Sequence, residues 1–126
     1  SIICICDVSK SVAAAAQSGR PVAPSLTASG TQQPGADLPA ATVAALHDMM
    51  RAVVTSGTAT NLAAVPGEVA GKTGTAEYGE ETPPRAHSWF VGYRGDLAFA
   101  VFVADGQSAG VVASEVARTF LTALPA

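Results

Sequence analysis

The sequence predicts an α+β fold, in which an antiparallel sheet of three strands packs against flanking helices. Three observations support this prediction. Apolar residues recur at helical spacing between residues 39 and 55, and three short extended runs follow residue 68. Apolar residues four apart then predict a last helix from about residue 108 to residue 124. The order helix, three strands, helix is typical of this fold class.

The first 36 residues fall into three parts of different composition. Residues 1–10 hold both cysteines, Cys4 and Cys6, and all the isoleucines of the chain, so we separate them as a compositionally foreign segment from residues 11–126. Residues 11–18 are rich in alanine and predict a helix that ends at Gly19. The prolines and glycines of residues 19–36 predict a loop, with a short extended piece at residues 22–26.

A helix is predicted from Pro39 to about Thr55, since proline suits the first turn of a helix. Its apolar residues recur at steps of three and four and predict one face that docks on the sheet: Val43, Leu46, Met50, Val53 and Val54. The polar residues between them are predicted to lie on a solvated surface: His47, Asp48 and Arg51. Gly57 is expected to end the helix.

The three strands are predicted at residues 68–76, 87–94 and 97–104, with Gly95 and Asp96 as a two-residue turn between the last two. On the middle strand, Trp89 and Phe90 are expected to pack in the core. The final helix carries a stripe of large apolar residues that we expect to face the sheet: Val112, Val116, Phe120 and Leu124.

Composition excludes several classes of function. The net charge is −3 and the seven lysines and arginines are scattered, so we expect no nucleic-acid binding. No apolar run reaches the ~20 residues that cross a bilayer, and we expect no membrane contact from this segment. The two cysteines and two histidines lack the spacing of a zinc site, so neither a metal nor a cofactor is expected.

The segment Gly71–Glu77 (GKTGTAE) suggests two different kinds of site. A phosphate-binding loop needs G-x-x-x-x-G-K-[ST] with a helix after the lysine. Here the first glycine is one residue too close, and two glycines follow Lys72. The alternative is the Lys-Thr-Gly strand of active-site serine enzymes. In such a strand the Lys72 ammonium and the Thr73 and Thr75 hydroxyls can hold a carboxylate, while Gly74 leaves room for the acyl group.

The segment GKTGTAE, followed by a loop and His87–Tyr93 (HSWFVGY), resembles the carboxy-terminal part of the penicillin-binding protein transpeptidase domain. The earlier Val53–Ala59 (VVTSGTA) is also similar to this family, and the class B enzymes of high-GC Gram-positive bacteria are the most similar. The resemblance implies a five-stranded sheet, of which this chain supplies three strands. It also implies a serine D,D-transpeptidase on the extracytoplasmic face of the bacterial membrane, with peptidoglycan stem peptides and β-lactams as partners.

The resemblance further implies roles for four residues. Lys72 would bind substrate and organise the serine, Thr73 would bind substrate, and Gly74 would clear space for it. Thr75 would contribute a hydroxyl to the substrate carboxylate and its backbone N–H to the oxyanion hole. The sequence lacks the family's other two motifs, Ser-x-x-Lys and Ser-x-Asn. The only other lysine, Lys10, has an aspartate three residues before it.

We therefore expect the last third of a longer enzyme, inactive alone because the nucleophile is absent, and produced by truncation, frameshift or processing. Its third strand would have an unpaired edge and its sheet an uncovered apolar face, so the chain alone is expected to be marginally stable or prone to aggregate. Two alternatives remain open: a non-catalytic module that binds β-lactams or peptides, and a nucleotide-binding protein.

Overall fold

The computed structural model describes residues 15–16, 18–21, 36–106 and 110–125. Within these residues lie two main helices and three strands, listed here in chain order: α1 (Ala40–Thr55), β1 (Val69–Tyr78), β2 (Arg85–Arg94), β3 (Leu97–Val103) and α2 (Val111–Ala123). A short 3-10 helix spans Thr60–Leu62. The sheet has the order β1-β2-β3, and both strand pairs are antiparallel. The predicted α+β fold is therefore confirmed.

Two strands extend further than predicted. β1 continues to Tyr78 and β2 begins at Arg85, and these two residues pair at the end of the ladder. The Tyr78 ring stacks on His87 with 4.3 Å between ring centroids, and the Arg85 guanidinium lies 5.1 Å from the Tyr78 ring centroid. Such cross-strand contacts stabilise an extended ladder. The predicted turn at Gly95–Asp96 is confirmed, since Arg94 pairs with Leu97 across it.

Several predictions concern residues outside the described parts. Of the helix predicted at residues 11–18, only Ala15, Ala16 and Ser18 are described, and these are helical. Residues 1–10 with both cysteines, the extended piece at residues 22–26, and the predicted start of the last helix at residues 108–109 lie outside the described residues. Those predictions therefore stay untested.

The sheet has two different faces, and the first, which we call the core face, carries Thr73, Ser88, Phe90 and Val101. Phe90 is fully buried there, among residues of the main hydrophobic cluster. Its ring lies over two glycines that face each other across the strands, Gly71 of β1 and Gly92 of β2. A Cβ on Gly71 would overlap Phe90 Cζ, so the absence of both side chains makes the space that this ring fills.

Helix α2 covers the core face mainly with small residues, and members of the predicted stripe lie beside them. The residues buried on it are Ala113, Ser114, Ala117 and Leu121. The predicted residues Val112, Val116 and Leu124 are only partly buried, and Phe120 is 37% exposed. The prediction is therefore confirmed in part: Val112 and Val116 pack against the core cluster, but the fully buried positions belong to other residues of the helix. Alanine lets the helix backbone approach the sheet closely, and the larger residues then flank the contact.

Ser88 connects β2 to the amino-terminal turn of α2. It is 1% exposed, and its Oγ accepts a hydrogen bond of 3.1 Å from the Ala113 N–H. The residue before α2 is Gly110, which has no side chain to cap the helix. Ser88 therefore takes the place of an N-cap side chain, from a residue 25 positions earlier in the chain.

We expect the Ser88→Ala variant to lose about 1–2 kcal/mol of unfolding free energy, because the buried Ala113 N–H would have no acceptor. Urea denaturation measures this loss. Ser56→Ala is the matched control: Ser56 is exposed, and its Oγ donates only to Ala52 O of its own helix, at 3.3 Å. Equal losses in the two variants would contradict the capping role.

Arg94, the last residue of β2, holds the other end of α2. Its Nη1 donates to Leu121 O at 2.8 Å and its Nη2 to Pro125 O at 3.0 Å. Leu121 lies in the last turn of α2, where carbonyls lack helical partners and a cation is favourable.

We expect Arg94→Met to cost about 1–3 kcal/mol of unfolding free energy, since charged donors are lost from these carbonyls. Arg118→Met is the matched control, because Arg118 pairs with Glu115 at the surface and such pairs contribute less than ~1 kcal/mol. Thermal and urea unfolding of both variants would test this, and a larger loss in the Arg118 variant would contradict it.

Helix α1 buries Met50 and Val54, as the apolar spacing predicts, but its polar residues are not all solvated. His47 Nδ1 lies 2.8 Å from the Tyr93 hydroxyl, and His47 Nε2 lies 3.1 Å from Glu68 Oε1. Arg51 donates to the carbonyl of Val69, the first residue of β1. The predicted solvated surface was therefore wrong for His47 and Arg51, whose long side chains reach the sheet.

These contacts fix the start of β1 on α1. Burial, and next to it the charge of Glu68, raise the pKa of Tyr93. The phenol therefore keeps its proton and can donate it to His47 Nδ1. Asp48, the third polar residue of this group, is exposed as predicted.

Candidate active site

The lysine segment lies in the middle of β1, which forms one edge of the sheet in the described part of the chain. Because successive residues of a strand face opposite sides, the four predicted site residues separate into two pairs. Lys72 and Gly74 lie on the second face of the sheet, which we call the lysine face and which also carries Trp89, Val91 and Phe102. Thr73 and Thr75 lie on the core face.

Lys72 is exposed and lies beside a shallow cleft of about 280 Å³. The cleft is lined by residues of β1 and β2: Lys72, Thr73, Gly74, Trp89 and Val91. The Lys72 Nζ donates to the Thr73 carbonyl at 2.6 Å. This contact occupies one of three donors of an ammonium group, so two remain for a ligand in the cleft.

Trp89 corrects another prediction from the sequence. Phe90 is in the core as predicted, but Trp89 is half-buried on the lysine face, where its ring packs on Phe102 with 4.5 Å between centroids. Neighbours on a strand cannot share one face, so the prediction that both residues pack in the core was wrong for Trp89. A Cβ on Gly74 would lie 3.3 Å from Trp89 Cβ, so these two residues together set the depth of the cleft.

The two threonines have different surroundings. Thr73 is 7% exposed, and its Oγ1 lies 2.6 Å from Thr58 Oγ1 in the turn after α1. Thr75 is exposed and pairs with Ser88 in the ladder. The sequence prediction included Thr73 and Thr75 but missed Thr58. The similarity of VVTSGTA to the family was a signal for this turn, but it assigned no role to a particular residue.

The structure argues against a phosphate-binding loop. After Lys72 the chain continues as β1 to Tyr78, so no helix begins at the lysine. Without a helix amino terminus at this point, the backbone cannot cradle phosphate in the way that this motif requires. The P-loop-like form of the nucleotide-binding alternative is therefore contradicted.

Two kinds of feature are absent from the described residues. Among them, no helix has the length and apolar character needed to span a membrane. Within the same residues, no three histidine, cysteine, aspartate or glutamate side chains converge as a metal site would require. Residues 1–10, which include Cys4 and Cys6, lie outside the described part of the chain.

The chain resembles several solved structures in fold. The D,D-transpeptidase domain of a peptidoglycan glycosyltransferase from Eggerthella lenta superposes with a TM-score of 0.69 at 29% identity, over 91% of this chain and 30% of that one. PBPA from Mycobacterium tuberculosis superposes with a TM-score of 0.66 at 24% identity, over 87% of this chain and 30% of that one. The second likeness, at this low identity, concerns the fold alone.

A third structure, from Atopobium parvulum and named as a peptidoglycan glycosyltransferase, has a TM-score of 0.65 at 31% identity, over 88% of this chain and 31% of that one. The chain thus spans about 30% of the length of these solved relatives. No curated protein matches it in sequence. The penicillin-binding protein transpeptidase domain family matches residues 7–122. The chain belongs to this family of peptidoglycan enzymes.

Proposed function

We propose that this chain supplies the substrate-binding strand of a D,D-transpeptidase, and that the nucleophilic serine comes from residues outside it. The observation that carries the proposal is the position of Lys72. Lys72 lies on an edge strand beside an open cleft. Its contact with the Thr73 carbonyl uses one N–H of the ammonium group, and two N–H groups remain to donate to a ligand. The family match over residues 7–122 supports the reaction class.

In the proposed reaction, a serine attacks the carbonyl of a terminal D-alanyl-D-alanine and D-alanine leaves. The acyl group then passes from the serine ester to an amine of a neighbouring stem peptide, which forms an amide and releases the serine hydroxyl. The peptide would add along the free edge of β1 through backbone hydrogen bonds. Lys72 would attract the terminal carboxylate and lower the energy of the charged serine network. Gly74 would let the acyl group approach the strand, since it has no side chain above Trp89.

Thr73 and Thr75 complete the proposed site. Their hydroxyls would donate to the substrate carboxylate, and the Thr75 backbone N–H would donate to the oxyanion. One such donor contributes ~3 kcal/mol to the transition state in a water-poor site. The same strand would bind β-lactams, whose carboxylate and acyl carbonyl match those of the peptide. In the cell this site would face the outside of the cytoplasmic membrane.

The experiment compares two polypeptides with fluorescent penicillin, followed by denaturing electrophoresis. The first is this chain alone. The second joins this chain behind the Ser-x-x-Lys and Ser-x-Asn segments of the Eggerthella lenta transpeptidase domain. We expect covalent label on the joined protein and none on the chain alone. A third sample, the joined protein with the motif serine changed to alanine, should lose the label.

A non-catalytic binding module predicts a different result. Such a module would bind β-lactam or stem peptide saturably and without a covalent bond, but joining the missing segments would add no label. Non-covalent binding of acetylated D-alanyl-D-alanine by the chain alone is compatible with both functions, so the covalent label on the joined protein distinguishes them. Covalent labelling of the chain alone would contradict the proposal, because it would require a nucleophile within these residues.

A further inference from the structure

We propose that Thr58 is a positioning residue, which holds the Thr73 hydroxyl so that it can donate its proton to the substrate carboxylate. This inference rests on the proposed function of the lysine strand. Its basis is the 2.6 Å distance between Thr58 Oγ1 and Thr73 Oγ1. Thr58 lies outside β1, 15 residues before Thr73, and no role was predicted for it from the lysine motif.

The Thr73 side chain is held from two sides, and the contact with Thr58 selects one of the few χ1 rotamers open to it. Gly110, just before α2, packs against it so closely that a Cβ on Gly110 would overlap Thr73 Cβ and lie 3.0 Å from its Cγ2. A β-branched side chain already strongly prefers few χ1 angles. The Gly110 backbone therefore blocks the methyl side of Thr73, and Thr58 satisfies the hydroxyl side.

Counting protons gives the contact a direction. Each threonine hydroxyl has one proton to donate and two lone pairs to accept with. When the Thr73 proton is donated to a carboxylate, the bond between the two threonines needs the Thr58 proton. The Thr58 hydroxyl then donates to Thr73 Oγ1, and the Thr73 hydroxyl donates to the carboxylate. Such a chain of hydrogen bonds strengthens its last member, because each donor polarises the next.

The turn that carries Thr58 is itself well held. The Ala59 N–H donates to Val53 O at 3.0 Å, and Ala59 and Leu62 are buried next to the end of α1. A Cβ on Gly57 would lie 2.8 Å from Val53 Cα, so the chain turns tightly there. The end of α1 therefore fixes the position of Thr58. The contact with Thr58 in turn fixes the orientation of the Thr73 hydroxyl on β1.

The first test measures the Thr73 rotamer in the isotopically labelled full chain by three-bond couplings to its Cγ2 methyl carbon. We expect a single χ1 rotamer in the parent chain and averaged couplings in Thr58→Val, which keeps the shape and removes the hydroxyl. Thr58→Ser restores the hydroxyl and should restore the single rotamer. Thr60→Val, at an exposed threonine two residues on, is the matched control and should change nothing.

The second test titrates the same chains with acetylated D-alanyl-D-alanine and with its carboxamide, observing the Thr73 and Thr75 amide signals. The acid should bind the Thr58→Val chain about tenfold more weakly than the parent, the effect of one lost hydrogen bond to a charged acceptor. The carboxamide should bind both chains equally. Thr58→Ser should bind the acid as the parent does.

The two tests can fail independently, so the positioning role of Thr58 and the proposed function are tested separately. Unchanged Thr73 couplings in Thr58→Val would overturn the positioning role, whatever the binding results. Equal binding of the acid by the parent and Thr58→Val would also overturn it. If the parent chain bound neither ligand while the couplings changed as expected, carboxylate binding by this chain alone would be wrong, and Thr58 would still be shown to position Thr73.

Discussion

Replacing Gly92 by alanine is expected to cost about 3 kcal/mol or more of unfolding free energy, at the upper end of what overpacking a core costs. The new Cβ would lie 2.5 Å from the Ala70 carbonyl oxygen, 2.9 Å from Phe90 Cε1 and 3.2 Å from Gly71 Cα. Two of these three atoms belong to the backbone of β1 and cannot move without breaking the ladder. Domains of this size have only ~5–15 kcal/mol in total, so one methyl group removes a large part of their stability.

Urea denaturation of the variant gives this loss directly. Gly74→Ala is the matched control, since it places the same methyl group on the neighbouring strand, where the nearest atom is Trp89 Cβ at 3.3 Å. We expect that control to lose less than ~1 kcal/mol. A Gly92→Ala chain as stable as the Gly74→Ala chain would show that Phe90 does not lie over the glycine pair as described.

The Lys72→Ala variant should have the largest effect on function. In the joined protein that carries the serine motifs, we expect the second-order rate of acylation by penicillin to fall about 10²-fold or more, the scale on which removing one electrostatic stabiliser acts. The ammonium is lost both from the carboxylate and from the serine network. Stopped-flow or gel measurement of label against time gives the rate.

Two controls make that result specific. Lys10→Ala removes the only other lysine of the chain and should leave the rate unchanged. Lys72→Arg keeps the charge but replaces a compact ammonium by a planar group, so it should recover only part of the rate. Stability should be nearly equal in the two Lys72 variants, because Lys72 is exposed. An unchanged acylation rate in Lys72→Ala would exclude the role proposed for the lysine.

The periodicity of apolar residues was sufficient to predict the fold class, but not which residues of each element are buried. The three strands, the turn at Gly95–Asp96 and helix α1 followed from residue spacing, because these depend on local sequence. The buried side of α2 did not follow from spacing. Ala113 and Ala117 mark the side of the helix that lies close to the sheet, but this can be recognised only when the surface facing the helix is known. The same holds for His47 and Arg51, whose contacts are made with residues 18 to 46 positions away.

The candidate site shows a similar division. Its strand was visible in the sequence because lysine, threonine and glycine stand together, and their placement on β1 follows from the motif. Thr58 could not be found in this way, because a single threonine after a helix is common and its partner is 15 residues away. The position of Trp89 followed from strict alternation along β2 once Phe90 was known to be buried.

The facing glycines, Gly71 and Gly92, also determine where the lysine is. If β1 slipped by two residues along β2, Thr73 would replace Gly71 opposite Gly92, and its side chain would occupy the space of the Phe90 ring. A slip of one residue would exchange the two faces and turn Lys72 into the core. Both shifts of register are excluded by the lack of space for a side chain in the core, and no contact of the lysine itself is needed to exclude them. The Phe90 ring on the core face thus fixes the register of β1 against β2. The position of Lys72 on the opposite face therefore depends on the space that the two glycines leave on the core face.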